Sequence, residues 1–166
     1  PYGGRPRRAI IRAVLSVAGR LVAAEDPAVV VVACNTASVA ALEHLRAAFA
    51  VPFVGVVPAV KPAAVASKGR RFGVLATRRT VEGRYLRGLV ARYAAGCSVV
   101  SLPASGLVEF VERDLPGSTR EERLARVREE ASRFVGIDTL VLGCTHFLHL
   151  QEEFREVLAE RGVTVI

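Results

Sequence analysis

Two short segments constrain this chain more than anything else in it: Ala33-Cys34-Asn35-Thr36-Ala37-Ser38 and Leu142-Gly143-Cys144-Thr145-His146. Each follows a run of β-branched apolar residues, and each sets a cysteine beside small hydroxyl or amide side chains. A strand that stops at a cysteine and yields to a helix holds the sulfur at a helix N-terminus. Unpaired N–H groups and the helix dipole there favour thiolate over thiol. Two cysteines in matched settings point to one reaction that uses two sulfur bases.

Around these segments helical and strand patterns alternate. Residues 6–24 carry Ile10, Ile11, Val14, Leu15 and Leu21 at helical spacing, and residues 28–33 read as a fully buried strand. A helix over 37–48 and a strand over 53–57 follow. The Pro-bounded stretch 58–62 is the best lobe boundary, which makes 1–60 part of a first α/β lobe and 61–166 a second. In the second half, strands are expected at 72–76, 99–102, 139–143 and 163–166, with helices at 80–95, 106–113, 119–134 and 150–160. This order argues for an α/β fold of mainly parallel sheets with helices on both faces. Ligands of such folds bind beyond the carboxyl ends of strands, where both cysteine segments fall.

Composition removes several function classes. The longest apolar run, 28–34, is far below the ~20 residues of a membrane span, and nothing resembles a signal peptide. Three cysteines in 166 residues, without regular spacing, make no disulfide framework and suggest a reducing cytoplasm. The net charge of +7 raises nucleic acid as a partner. Most arginines, however, alternate with glutamates along helical stretches such as 121–130, as on a solvated face. The tight clusters Arg5-Arg7-Arg8 and Lys68-Arg70-Arg71 lack interleaved aromatics, which argues against nucleic acid as the main partner. A chain that begins at Pro1 and ends in a strand-like Val163-Thr164-Val165-Ile166 reads as a processed or truncated product.

Inverting a carbon acid without a cofactor needs a base on one face of Cα and an acid on the other. Cysteine suits both roles once its pKa of ~8.5 is drawn toward the working pH. Cys34 and Cys144 lie one in each lobe, so facing lobes set them across a cleft. Asn35, Thr36 and Thr145 offer short polar contacts for a substrate carboxylate, and His146 is placed to raise the thiolate population of Cys144.

Several stretches then carry a family resemblance: Pro1-Tyr2-Gly3, Cys34-Asn35-Thr36-Ala37-Ser38, Gly55-Val56-Val57-Pro58-Ala59-Val60-Lys61-Pro62, Gly73-Val74-Leu75-Ala76-Thr77 and Leu142-Gly143-Cys144-Thr145-His146-Phe147. In that order, from end to end, they resemble the cofactor-independent aspartate/glutamate racemase family, glutamate racemases in particular. The resemblance implies two three-layer α/β/α lobes with the active site between them. It implies Cys34 and Cys144 as the proton-transfer pair, assisted by His146, with Tyr2, Gly3, Asn35, Thr36, Thr145 and His146 at the substrate. It further implies D-glutamate supply for peptidoglycan, a cytoplasmic homodimer, and no metal or cofactor. Family members carry an Asp-Ser-Gly strand upstream of the Pro-Tyr-Gly segment and continue beyond the position of Ile166, which predicts an incomplete first lobe. Arg79 stands where the family usually has Gly, and Leu148-His149 where it has Pro-Leu. Aspartate or hydantoin racemases of the same superfamily, or an inactive binding module, are the rival readings.

Plainer roles stand beside these. Cys34 alone fits an inert core thiol, and Cys97 a packing residue. Asn35, Thr36 and Ser38 suit a helix N-cap, as does Thr145. His44 and His149 read as surface residues in helical stretches, Lys61 as structural, and Glu109 and Glu112 as a solvated face. Cys-x-His without a second pair is poor zinc spacing. Neither Gly73 nor Gly143 belongs to a phosphate fingerprint.

Overall fold

The structure, a computed structural model, describes residues 2–166. Its strands pair in parallel and divide into two sheets, one of order β1-β2 and one of order β4-β3-β5-β6. No helix among the described residues is long and apolar enough to cross a membrane.

The first sheet pairs β1 (Val30–Val32) with β2 (Phe53–Gly55), Val30 opposite Phe53. Helices α1 (Arg7–Glu25) and α2 (Asn35–Ala48) pack beside it. Ala18 from α1 and Leu42 and Leu45 from α2 meet Val30 and Phe53 in one apolar cluster, with Val14, Leu15 and Val22 at its edge. The helical spacing of those α1 residues is what drives the helix onto the sheet. The expected fully buried strand over 28–33 is corrected here. Val31 is 59% exposed and Val54, its register partner, 51% exposed, because the described helices cover only the face bearing Val30 and Phe53.

The second sheet is a three-layer unit built on period-2 alternation. On β3 (Arg71–Ala76), Phe72, Val74 and Ala76 join Val141 of β5 (Thr139–Leu142) in a cluster with α3 (Val60–Ala66) and α5 (Arg84–Tyr93). Leu75, Leu140 and Leu142 point the other way, into a cluster with α6 (Ser105–Arg113), α7 (Arg120–Ser132) and α8 (Gln151–Ala159). The sheet is completed by β4 (Ser98–Pro103) and β6 (Thr164–Val165). Gly73 is required by packing: a Cβ there would lie 2.7 Å from the Phe134 ring and 2.9 Å from Leu140.

Two expected elements differ. The Pro-bounded stretch forms the first turns of α3, with Pro62 inside the first turn, where its missing N–H costs nothing. The single helix expected over 80–95 is two, α4 (Arg78–Val81) and α5, separated at Glu82 and Gly83. Thr77 caps α4 by accepting from the Thr80 N–H, which starts this helix earlier than periodicity suggested. Gly83 then takes an extended conformation as the N-cap of α5.

Candidate active site

Cys34 leaves β1 in extended conformation and is the N-cap of α2, its carbonyl accepting from Ser38 N–H at 2.9 Å. No side chain caps this helix, so the N-cap reading of Asn35, Thr36 and Ser38 is corrected. The reason is geometric, since the helix already begins at Asn35 and these side chains lie within its first turn. They are used elsewhere. The Ser38 hydroxyl donates to Val32 O at 3.1 Å and accepts from Val56 N–H at 3.1 Å, tying the ends of both strands to α2. Gly55 admits this, because a Cβ would lie 2.8 Å from Leu42 and 3.0 Å from Ser38. Thr36 Oγ1 lies 2.9 Å from Thr77 Oγ1, and Asn35, 4% exposed, has its Oδ1 buried without a hydrogen-bond partner.

Cys144 leaves β5 in the corresponding way. Gly143 N–H donates to Leu75 O at 2.7 Å, and a Cβ at 143 would lie 3.1 Å from both Leu75 O and Ala76 Cβ. Only glycine lets the end of β5 run this close to β3 and so present the next residue. The helix that follows is a 3-10 segment, Thr145–Leu150, with Cys144 as its N-cap and no side-chain cap. The α-helix expected over 150–160 follows it as Gln151–Ala159.

The helix start was expected to favour the thiolate of Cys144. Instead, burial pushes its thiol from 9.0 up to about 11. Backbone hydrogen bonds from His146 and Phe147 pull the other way, and a charge on Cys34 pushes it further up. A short 3-10 turn has a weak dipole, and desolvation of a residue only 6% exposed outweighs it.

His146 and Glu112 extend the site. His146 Nδ1 lies 3.5 Å from Cys144 Sγ, and Nε2 lies 2.5 Å from Glu112 Oε1. The hydrogen bond and charge of His146 hold the Glu112 carboxyl below its ordinary range. Glu109 and Glu112 are both exposed, as the solvated-face reading expects, and Glu112 in addition holds His146. With Glu112 accepting from Nε2–H, neutral His146 has Nδ1 free to accept from the thiol, and protonated His146 would donate to the thiolate. Glu112 comes from α6, far upstream in sequence. The only signal for it was chemical: a histidine beside a reactive cysteine calls for a partner on its second nitrogen.

The remaining predicted positions fall as follows. Tyr2 and Gly3 lie in a turn closed by Arg5 N–H to Tyr2 O at 3.0 Å, and Gly3 packs on Thr77, where a Cβ would come within 3.0 Å. Thr145 and His146 are half-buried beside Cys144. Cys97 packs at the edge of the α3–α5 cluster, and Lys61 stands 5.8 Å over the Tyr93 ring. His149 is exposed as expected. His44 departs from the surface reading, its Nδ1 being buried without a partner. A cavity of about 730 Å³ between α2 and α4–α5, lined by Arg46, Arg79, Arg84 and Tyr85, touches neither Cys34 nor Cys144.

With this geometry in view, known proteins match along the whole chain. A glutamate racemase of Shewanella sp. strain MR-7 is 41% identical over 168 residues, covering 100% of this chain and 61% of its own. One from Pectobacterium carotovorum is 43% identical over 162 residues, covering 96% and 57%. The chain thus spans about three fifths of the length of these curated relatives. The crystal structure of Escherichia coli glutamate racemase, solved with L-glutamate and the activator UDP-MurNAc-ala, superposes with a TM-score of 0.87 at 40% identity over 100% of this chain and 63% of its own. Residues 4–166 match the description Asp/Glu/Hydantoin racemase. The parallel sheets, the paired strand-end cysteines and these likenesses lead to one conclusion: the chain belongs to the aspartate/glutamate/hydantoin racemase family.

Proposed function

We propose that this chain supplies the two thiols of a glutamate racemase that interconverts L- and D-glutamate by proton transfer at Cα. The observation that carries the reading is the matched placement of Cys34 and Cys144, each just beyond a parallel strand and each the N-cap of the helical segment that follows. In one direction the Cys34 thiolate takes the Cα proton while the Cys144 thiol gives its proton to the opposite face. Cys34 ends as thiol and Cys144 as thiolate, and the reverse reaction starts from that state. His146, steadied by Glu112, hydrogen-bonds Cys144 and offsets the burial that opposes its ionisation.

Tyr2, Gly3, Asn35, Thr36, Thr145 and His146 contact the substrate in this reading. The buried, unpartnered Asn35 Oδ1 suits a ligand ammonium donor, and the N–H groups at the starts of α2 and the 3-10 turn suit carboxylates. The lobes are 1–60 and 61–166, with the site between them. The product is D-glutamate for peptidoglycan, made by a cytoplasmic homodimer without metal or cofactor. The test is exchange of the Cα hydrogen of L- and D-glutamate in deuterated water, with this chain and with the chain extended to the length of its relatives. Deuterium in the opposite enantiomer is the expected result. No exchange by either protein overturns the proposal.

A further inference from the structure

Residues 2–59 carry one sheet and residues 60–166 the other. Apart from the connecting turn itself, one hydrogen bond among the described residues joins them, between the hydroxyls of Thr36 and Thr77. Its position is informative. Thr36 lies two residues beyond Cys34, on the first turn of α2. Thr77 directly follows β3, and Gly143, the residue before Cys144, is anchored to that same strand through Leu75 O. The bond therefore spans from the base of one thiol to the base of the other.

It is also the end of a buried chain. Thr77 Oγ1 lies 3.1 Å from Thr80 Oγ1 and accepts from Thr80 N–H at 3.4 Å. Thr36, Thr77 and Thr80 are 3%, 4% and 0% exposed. With one lone pair taken by the N–H, Thr77 has one lone pair and one proton left for two hydroxyls, so it donates to one and accepts from the other. A water-excluded chain with every link used is stiff, because releasing any link leaves a buried polar group unpaired. Gly3 presses on Thr77 from the first-lobe side, adding a packing contact to the same residue.

We propose that Thr77 is a positioning residue, whose hydroxyl ties the segment bearing Cys34 to the sheet bearing Cys144 and thereby sets the spacing of the two thiols. This rests on the two-thiol reading above. Inversion needs both sulfurs within reach of one carbon at the same moment, whereas exchange with retention needs only one. Slackening the tie should therefore harm inversion more than exchange.

The test is made in deuterated water with the chain extended to its relatives' length, comparing deuterium entering recovered L-glutamate with deuterated D-glutamate formed. In Thr77→Val the exchange-to-inversion ratio should rise about fivefold, the size expected for one buried neutral hydrogen bond. Thr77→Ser restores the hydroxyl and should restore the ratio. Thr80→Val removes a hydroxyl of the same cluster but keeps the Thr36–Thr77 bond, and its ratio should stay near that of the unsubstituted protein. Should Thr77→Val not fold, Thr36→Val cuts the same bond from the other side and should move the ratio likewise. A parallel loss of exchange and inversion, or an equal shift in Thr80→Val, overturns the proposal. Failure of the unsubstituted protein to exchange or invert overturns the racemase reading instead.

Discussion

Cys34 and Cys144 occupy similar backbone positions in different surroundings, Cys34 half-buried and Cys144 only 6% exposed. In the two-thiol reading each is indispensable, so Cys34→Ala and Cys144→Ala should each lower racemisation by roughly 10³-fold or more while the protein remains folded by circular dichroism. Glu112→Gln keeps the shape but weakens the hold on His146, and kcat/KM should fall about tenfold. Because two enantiomers have an equilibrium constant of one, that fall must be equal from L- and from D-glutamate. The raised Cys144 pKa also has a stability consequence. The unfolded thiol ionises near 9.0 and the folded one near 11, so stability contributed by the protonated thiol is intact below about 9 and lost as pH climbs toward 11. Urea melts at pH 8 and pH 10.5 should differ by on the order of 2 kcal/mol, and Cys144→Ala should remove most of that difference.

At the scale of elements, glycines and hydroxyls place the site. Gly73→Ala puts a methyl group into the Phe134 ring and should cost about 1–3 kcal/mol in urea unfolding. The strands and most helices were legible because apolar periodicity survives packing: β3 and β5 alternate as a two-sided buried sheet must. What escaped the sequence was set by tertiary contact. The split between α4 and α5 falls at Glu82 and an extended Gly83, and the short 3-10 turn after Cys144 carries no periodic signature. Both cysteines and His146 were readable from local motifs. Glu112 was not, because its partner lies 34 residues away and its own helix offers only an ordinary charged face. The direction of the Cys144 pKa is hidden from the sequence for a related reason, since a helix terminus is visible there but the depth of burial is not.

For the whole molecule, the two sheets are unequally supported. The four-stranded sheet has apolar clusters on both faces, whereas the two-stranded one has a single cluster on one face. Backbone amides of β1 and β2 should therefore exchange with deuterated solvent well before those of β3 and β5, as followed by mass spectrometry. The outward face of that small sheet has a further effect. Val31 and Val54 stand side by side, with Val29 also exposed, as an oily stripe on a molecule of net charge +7. Like-charged particles of this kind stay dispersed through mutual repulsion, and dissolved salt shortens its reach from about 30 Å at 0.01 M to about 10 Å at 0.1 M. Light scattering should accordingly grow as sodium chloride is added to a dilute solution, and a Val31→Lys, Val54→Lys chain should stay clear.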